Sequence, residues 1–109
     1  MSFILKISEK HIQKAILDYL AYKKILHYRQ NSGAFKTESG GYMRTASVSG
    51  LPDIVAIKDG LYIGLEVKTA TGKQSKEQKA IQDRITVAGG LYFIVRSVDD
   101  VKKIFEVKK

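Results

Sequence analysis

The sequence predicts an α/β fold with one mixed sheet of about four strands and helices on both faces. Two strand-like segments flank Asp59-Gly60, a dipeptide that favours the tight type I′ turn of a β-hairpin. The second of these strands is followed by a helical segment and then by the short apolar run LYFIV. This order predicts a right-handed β-α-β crossover, in which LYFIV lies parallel to the second hairpin strand.

The other elements follow from capping signals and periodicity. Ser8 is a suitable N-cap for an amphipathic helix over about residues 9–24, and the alternating segment ILHYRQ after it predicts a short strand. Beyond the hairpin, Ser75 and Gln78 match a capping box at the start of a helix to about residue 88. Ser97 with Asp100 opens a last short helix after LYFIV.

Residues 31–50 predict a long loop, because they show no period and are rich in glycine, serine and threonine. A loop of this length in a compact domain is usually functional or disordered. Lys36, Tyr42 and Arg44 lie in it and suit contacts to phosphates and bases. An unspecialised surface loop is an equally good interpretation.

Composition narrows the classes of function. The 109 residues have the length of a single domain, residues 1–109. Lysine and arginine number 19 against 11 acids, and the net charge of +8 indicates a polyanionic partner such as nucleic acid. A basic protein without such a partner is the alternative. The chain has no cysteine, which excludes disulfides, thiolate metal sites and thiol nucleophiles.

The first residues, MSFILKIS, are apolar over too short a run for a signal peptide or a membrane span. We therefore expect a cytoplasmic protein that does not associate with membranes.

The hairpin turn determines which side chains meet across the two strands. A type I′ turn at Asp59-Gly60 pairs Lys58 with Leu61, and the same register places Asp53 directly opposite Glu66. Their Cβ atoms would then lie about 4.5–5.5 Å apart on one face of the sheet. Because side chains alternate along a strand, Lys68 lies on that face as well.

Two carboxylates at this separation repel by roughly 3 kcal/mol at an effective dielectric constant of 20. A favourable cross-strand pair contributes only about 0.2–1 kcal/mol, so strand packing does not offset the repulsion. A divalent cation does, since convergent carboxylate oxygens are ligands for Mg²⁺. The sequence therefore predicts phosphodiester hydrolysis, with a metal ion held by Asp53 and Glu66 and with Lys68 beside it. The alternative is that Asp53 and Lys68 only form ion pairs at the strand ends.

Two more residues have a structural and a functional interpretation each. Gln78 is the capping-box partner of Ser75, yet its helical face also directs it towards the sheet. Glu9 is favoured in the first turn of its helix by the helix dipole. Glu9 could bind the metal, or a water on it, only if its helix crosses near the hairpin.

Four segments, SGLPDIVAI, LYIGLEVKT, GKQSKEQ and AGGLYFIVRSVDDV, together resemble the VRR-NUC domain of the PD-(D/E)XK nuclease superfamily over nearly the whole chain. The proline-aspartate of the superfamily corresponds to Pro52-Asp53, and its acid-x-lysine corresponds to Glu66-Val67-Lys68. The resemblance implies a restriction-endonuclease-like αβββαβ core. It also implies that Asp53, Glu66 and the Val67 carbonyl hold Mg²⁺ or Mn²⁺, while Lys68 serves the attacking water.

The resemblance extends to other residues of the chain. Glu9 matches the helix-one glutamate of the family, and Gln78 matches its glutamine after the third strand. The last of the four segments contains IVRSV, in which Arg96 is the single arginine. The candidate nucleic-acid-binding residues are Lys36, Tyr42, Arg44, Lys73 and Arg96.

The resemblance finally implies a partner and a setting. Stand-alone domains of this size resemble phage or bacterial proteins that act as homodimers on four-way DNA junctions, in a bacterial or phage-infected cell. We therefore expect a Mg²⁺- or Mn²⁺-dependent DNA endonuclease without an organic cofactor, selective for Holliday junctions or other branched DNA. The alternatives are a nuclease for flaps or nicked duplex, a non-catalytic nucleic-acid-binding module, and a structural or interaction protein.

Overall fold

The structure, a computed structural model, describes residues 7–30, 34–36, 42–44 and 48–106, with only the backbone of the two three-residue segments. Its elements in chain order are α1 (Glu9–Tyr22), β1 (Leu26–Arg29), β2 (Ala34–Lys36), β3 (Tyr42–Arg44), β4 (Ile54–Lys58), β5 (Leu61–Val67), α2 (Lys76–Val87), β6 (Leu91–Val95) and α3 (Val98–Phe105).

The main sheet has four strands in the order β1-β4-β5-β6. β1 pairs with β4 and β4 with β5 in antiparallel fashion, whereas β5 and β6 are parallel. The predicted mixed sheet and the parallel β5-α2-β6 crossover are therefore confirmed.

The predicted hairpin register is also confirmed. Asp59 and Gly60 both have positive φ values, 53° and 78°, as a type I′ turn requires. The β4-β5 ladder then runs from Lys58 opposite Leu61 to Ile54 opposite Leu65.

The prediction of a loop throughout residues 31–50 is wrong. Within that segment β2 and β3 form a separate two-stranded antiparallel ribbon. Each strand has three residues, which is too short for an alternating pattern to stand out from the surrounding glycine and serine. Helix α1 also ends at Tyr22 rather than near residue 24, because Lys24 adopts a left-handed conformation with φ of 57°.

Helices cover both faces of the main sheet. On one face, α1 and α3 enclose the core. Its buried side chains come from the helices, from alternate strand positions and from the residue before β1: Ile12, Ile16, Leu20, Ile25, Ile54, Ala56, Ile63, Leu65, Val67, Val95 and Val101. On the other face, α2 packs against β6. This second face carries Glu66, and we call it the acidic face. None of the helices in the described ranges is long and apolar enough to span a membrane.

Candidate active site

Asp53 lies one residue before β4, where the ladder with β5 has ended. Its Oδ2 atom accepts a hydrogen bond of 2.8 Å from the backbone N–H of Val67. In the hairpin register the residue opposite Val67 is Pro52, and the Val67 carbonyl points to the same side as its N–H. Proline has no amide hydrogen, so Pro52 cannot donate to the Val67 carbonyl, and the Asp53 carboxylate serves as the acceptor for the Val67 N–H.

Glu66 is the one charged residue among the buried positions of the described chain, with 2% of its surface exposed. Its Oε2 atom accepts a hydrogen bond of 3.0 Å from Gln78 Nε2, and Lys68 Nζ lies 3.8 Å from the same oxygen. Its Oε1 atom is buried, and no donor among the described residues reaches it. An unsatisfied buried carboxylate oxygen destabilises a fold, so this atom indicates a ligand that binds there.

The electrostatics of Glu66 follow from this burial. Desolvation, the negative charge of Asp53 and a hydrogen bond that protonated Glu66 can share with Asp53 raise the pKa of Glu66 from 4.5 to about 8, against an opposing effect of Lys68. The predicted meeting of two carboxylates on one face is therefore present in the structure. Buried carboxylate pairs with perturbed pKa values are typical of functional sites.

Gln78 fulfils both of its interpretations at once. Its Oε1 atom accepts a hydrogen bond of 2.8 Å from the Ser75 N–H, which completes the capping box of α2. Its Nε2 atom donates to Glu66. The start of α2 is thereby joined to the acidic face, and one oxygen of Glu66 is held in a fixed orientation.

Lys68 follows the last residue of β5, and its N–H continues the parallel ladder by donating to the Val95 carbonyl at 3.0 Å. Only 13% of its side chain is exposed. As the alternation predicts, its ammonium group reaches the acidic face, beside Glu66. The candidate catalytic lysine is thus held by the sheet at one end and by a carboxylate at the other.

Glu9 is the first residue of α1 and is exposed. Its negative charge makes the smallest of the contributions that alter the pKa of Glu66, so the helix does bring it towards the site. Across the described ranges, no three His, Asp or Glu side chains lie close enough together to hold a metal ion. The side-chain ligands at this site are therefore the two carboxylates of Asp53 and Glu66, and this hard pair, with the unpartnered Glu66 Oε1, fits a divalent cation.

The candidate nucleic-acid-binding residues fall into two groups. Lys36, Tyr42 and Arg44 lie on the β2-β3 ribbon, and their side chains are outside the described part of the structure. Lys73 is exposed on the turn between β5 and α2. Arg96 is exposed too, but its guanidinium is bound to backbone carbonyls of that same turn.

Two glycines that the sequence reasoning passed over support the site. Gly64 lies within β5, and a Cβ atom there would come within 2.8 Å of the Pro52 ring. Gly50 has a φ of +86°, and a Cβ atom there would overlap the Glu77 carbonyl and approach the Gln78 nitrogen to 2.8 Å. Glycine inside a strand is a known sign of close approach, so Gly64 at least could have been found from sequence.

Substitution of Gly50 by alanine is expected to lower the free energy of unfolding by about 2–4 kcal/mol, since the Cβ atom is both at positive φ and against the backbone of α2. Gly60 is the matched control, because its φ is also positive, at 78°, but a Cβ atom there meets nothing within 4 Å. Gly60→Ala should cost only about 1 kcal/mol. Urea denaturation measures both variants. Equal losses in the two would show that α2 does not press on Gly50.

Two solved structures resemble this chain over most of its length. A VRR_NUC domain superposes with a TM-score of 0.67 at 23% sequence identity, covering 93% of this chain and 97% of its own. A VRR_NUC domain protein superposes with a TM-score of 0.64 at 12% identity, covering 94% of this chain and 88% of its own. No family model matches the sequence, and no curated protein matches it.

The element order agrees with the fold that the sequence resemblance implies. With the β2-β3 ribbon set apart, α1, β1, β4, β5, α2 and β6 follow the αβββαβ order of the restriction-endonuclease-like core. The resemblance that the sequence motifs predicted is confirmed for the fold, which this chain shares with the two VRR_NUC structures.

Proposed function

We propose that this protein is a Mg²⁺- or Mn²⁺-dependent endonuclease that hydrolyses phosphodiester bonds of DNA. The observation that carries the proposal is the Glu66 carboxylate, buried beside Asp53 with its Oε1 atom unpartnered, in a chain of net charge +8. The positive charge favours a polyanionic substrate. The carboxylates of Asp53 and Glu66 can bind a cation between that substrate and the sheet.

The residues divide the work as follows. Asp53 and Glu66, with the Val67 carbonyl, would hold the ion, which supplies Lewis acidity and charge neutralisation for the phosphodiester when bound. Gln78 fixes the orientation of Glu66 through its Oε2 atom. Lys68 places an ammonium group 3.8 Å from that oxygen, where it can orient the attacking water or stabilise the charge of the transition state.

A non-catalytic nucleic-acid-binding module is the second candidate, and the net charge of +8 favours it as much as it favours a nuclease. The burial of Glu66 argues against it. A carboxylate that is 2% exposed, next to another carboxylate, weakens the fold and repels DNA. Phosphate binding alone requires neither acid, whereas metal-dependent hydrolysis requires both.

We further propose that the substrate is branched DNA, such as a Holliday junction, and that the protein acts as a homodimer. Each chain offers one acidic pair in its described part, and resolution of a four-way junction needs two symmetric cuts. A two-fold dimer supplies two sites related by the symmetry of the junction. The molecular mass in solution, measured with and without junction DNA, tests this part of the proposal.

Lys68→Ala is expected to slow cleavage by about 10²–10⁴-fold, the usual contribution of a positioned acid-base or charge-stabilising group. The assay uses labelled junction, flap, nicked and linear duplex DNA with Mg²⁺ and with Mn²⁺. Lys14→Ala is the matched control, since Lys14 carries the same charge on the exposed surface of α1, paired with Asp18. Cleavage that persists undiminished in Lys68→Ala would refute the assignment. DNA binding without cleavage under any metal would favour the binding module.

A further inference from the structure

Arg96 follows β6 directly, and its side chain reaches back across the sheet edge to the turn after β5. Its Nη1 atom donates hydrogen bonds to the carbonyls of Thr69 at 2.5 Å and Gly72 at 2.9 Å. The Thr69 carbonyl also accepts from the Gly72 N–H at 3.2 Å, which closes the turn. The guanidinium therefore holds both ends of a four-residue turn, residues 69–72, which we call the clamp turn.

The backbone of Arg96 is itself fixed by the start of α3. The Arg96 N–H donates to Asp100 Oδ2 at 2.8 Å, and the Asp100 N–H donates to the N-cap side chain of Ser97 at 3.2 Å. Arg96 is thus anchored at the backbone by one helix and bound at the guanidinium to the clamp turn. Both contacts place it in a defined position although the residue is exposed.

The clamp turn lies against the stem of Lys68. A Cβ atom built on Gly72 would lie 3.3 Å from Thr69 Oγ1 and 3.4 Å from both Cβ and Cδ of Lys68, so the turn lies beside the lysine stem at about the width of one methyl group. A lysine side chain has four rotatable bonds and loses considerable entropy when confined. The Lys68 stem passes the clamp turn, and its ammonium group ends 3.8 Å from Glu66 Oε2.

We infer that Arg96 is a positioning residue for Lys68, which it acts on through the clamp turn, rather than a DNA contact of its own. An arginine suits this task because its planar guanidinium presents donors in a fixed geometry, whereas a lysine ammonium is a point charge on a flexible stem. The inference rests on the proposed function only for the role of Lys68. The positioning itself is a property of the metal-free protein.

The first test measures Lys68 directly and requires no activity. The metal-free protein is treated with an amine-modifying reagent, and the rate of modification of each lysine is followed by mass spectrometry. Lys68, with 13% of its side chain exposed, should react slowly in the wild type and several-fold faster in Arg96→Ala and Arg96→Lys. Lys103, exposed on α3, should react at the same rate in all three proteins. An unchanged rate at Lys68 in both folded variants overturns the inference.

The second test separates positioning from DNA binding by kinetics. Arg96→Ala should lower kcat by about 10–100-fold, as misplacement of a catalytic group does, while KM changes less than about threefold. In a Lys68→Ala background the same substitution should cost at most about twofold, because residues that act through one another are not additive. Lys103→Ala controls for the loss of one positive charge.

The opposite pattern identifies a DNA contact. A phosphate contact would raise KM and reduce the salt dependence of binding in both backgrounds, with kcat unchanged. That result would overturn the inference. Absence of cleavage by the wild-type protein would instead count against the proposed function, and the modification rates would still decide whether Arg96 positions Lys68.

Discussion

Replacement of Glu66 by glutamine is expected to stabilise the metal-free protein at pH 8 and to abolish DNA cleavage. Burial and the neighbouring Asp53 raise the pKa of Glu66 to about 8 from its usual 4.5. At neutral pH the folded protein therefore keeps this carboxyl largely protonated, or ionises it at a cost in free energy. Glutamine has nearly the same shape and is neutral at every pH, so it removes that cost together with a candidate metal ligand.

The sign of the pH dependence follows from the two pKa values. Below pH 4.5 the folded and unfolded chains both hold the Glu66 proton, and the stability contribution of the neutral side chain is fully present. As the pH rises to 8, the unfolded chain releases its proton while the folded chain retains it, so stability is lost. Once the pH has passed 8, the loss amounts to several kcal/mol. This is a large share of the about 5–15 kcal/mol by which small domains are stable.

Urea denaturation in EDTA between pH 5 and pH 9 measures this effect. The free energy of unfolding should fall with pH in the wild type and stay nearly level in Glu66→Gln. Glu106→Gln is the control, because a hydrogen bond from Tyr19 lowers the pKa of Glu106, so this carboxyl titrates below the window. Its contribution to stability is present above the unfolded pKa and is lost only at lower pH, so the substitution should leave the slope between pH 5 and pH 9 unchanged. A wild-type slope retained in Glu66→Gln would mean that Glu66 is not the titrating group.

The acidic face could be predicted from sequence because one short turn determines it. Asp59-Gly60 sets the register of β4 and β5, and the register assigns Glu66 and Lys68 to one face and the apolar residues to the other. Nothing further along the chain is needed for that assignment. The conformational preference of one dipeptide therefore predicts which residues of β4 and β5 lie opposite each other.

Other parts of the site depend on packing between elements that no local pattern specifies. The burial of Glu66 and the position of its unpartnered oxygen depend on where α2 lies, and Gln78 reaches it only in the folded protein. Arg96 is predicted as a nucleic-acid contact, and its hydrogen bonds to Thr69 and Gly72 form only in the folded protein, because these residues precede it by 27 and 24 positions in the chain. The β2-β3 ribbon was missed because three-residue strands carry too little pattern.

Asp53 shows the limit of the register argument. The ladder ends at Ile54, so Asp53 does not pair with Glu66 as a strand residue; its side chain instead accepts the Val67 N–H. The carboxylate therefore has a structural hydrogen bond in addition to its proposed place in a metal site. Substitutions of Asp53 must separate these two roles.

Asp53→Asn is expected to abolish cleavage while leaving the metal-free protein as stable as the wild type or more so. The asparagine carbonyl oxygen can still accept the Val67 N–H, and removal of the negative charge relieves the repulsion that helps to raise the pKa of Glu66. Asp53→Ala should differ, because it leaves the partly buried Val67 N–H unsatisfied at a cost of about 1–3 kcal/mol.

Melting temperatures in EDTA and in Mg²⁺ distinguish the two roles of Asp53. Wild type should gain stability with Mg²⁺, since a ligand that binds only the folded state shifts the equilibrium towards it, and both variants should lose that gain. If Asp53→Asn melts well below wild type in EDTA, the carboxylate is needed for folding itself and its charge does not oppose Glu66. If instead only Asp53→Ala is destabilised, the hydrogen bond to the Val67 N–H stabilises the fold, and the negative charge of Asp53 is needed only to bind the cation. That outcome would separate the structural role of Asp53 from its chemical role within one side chain.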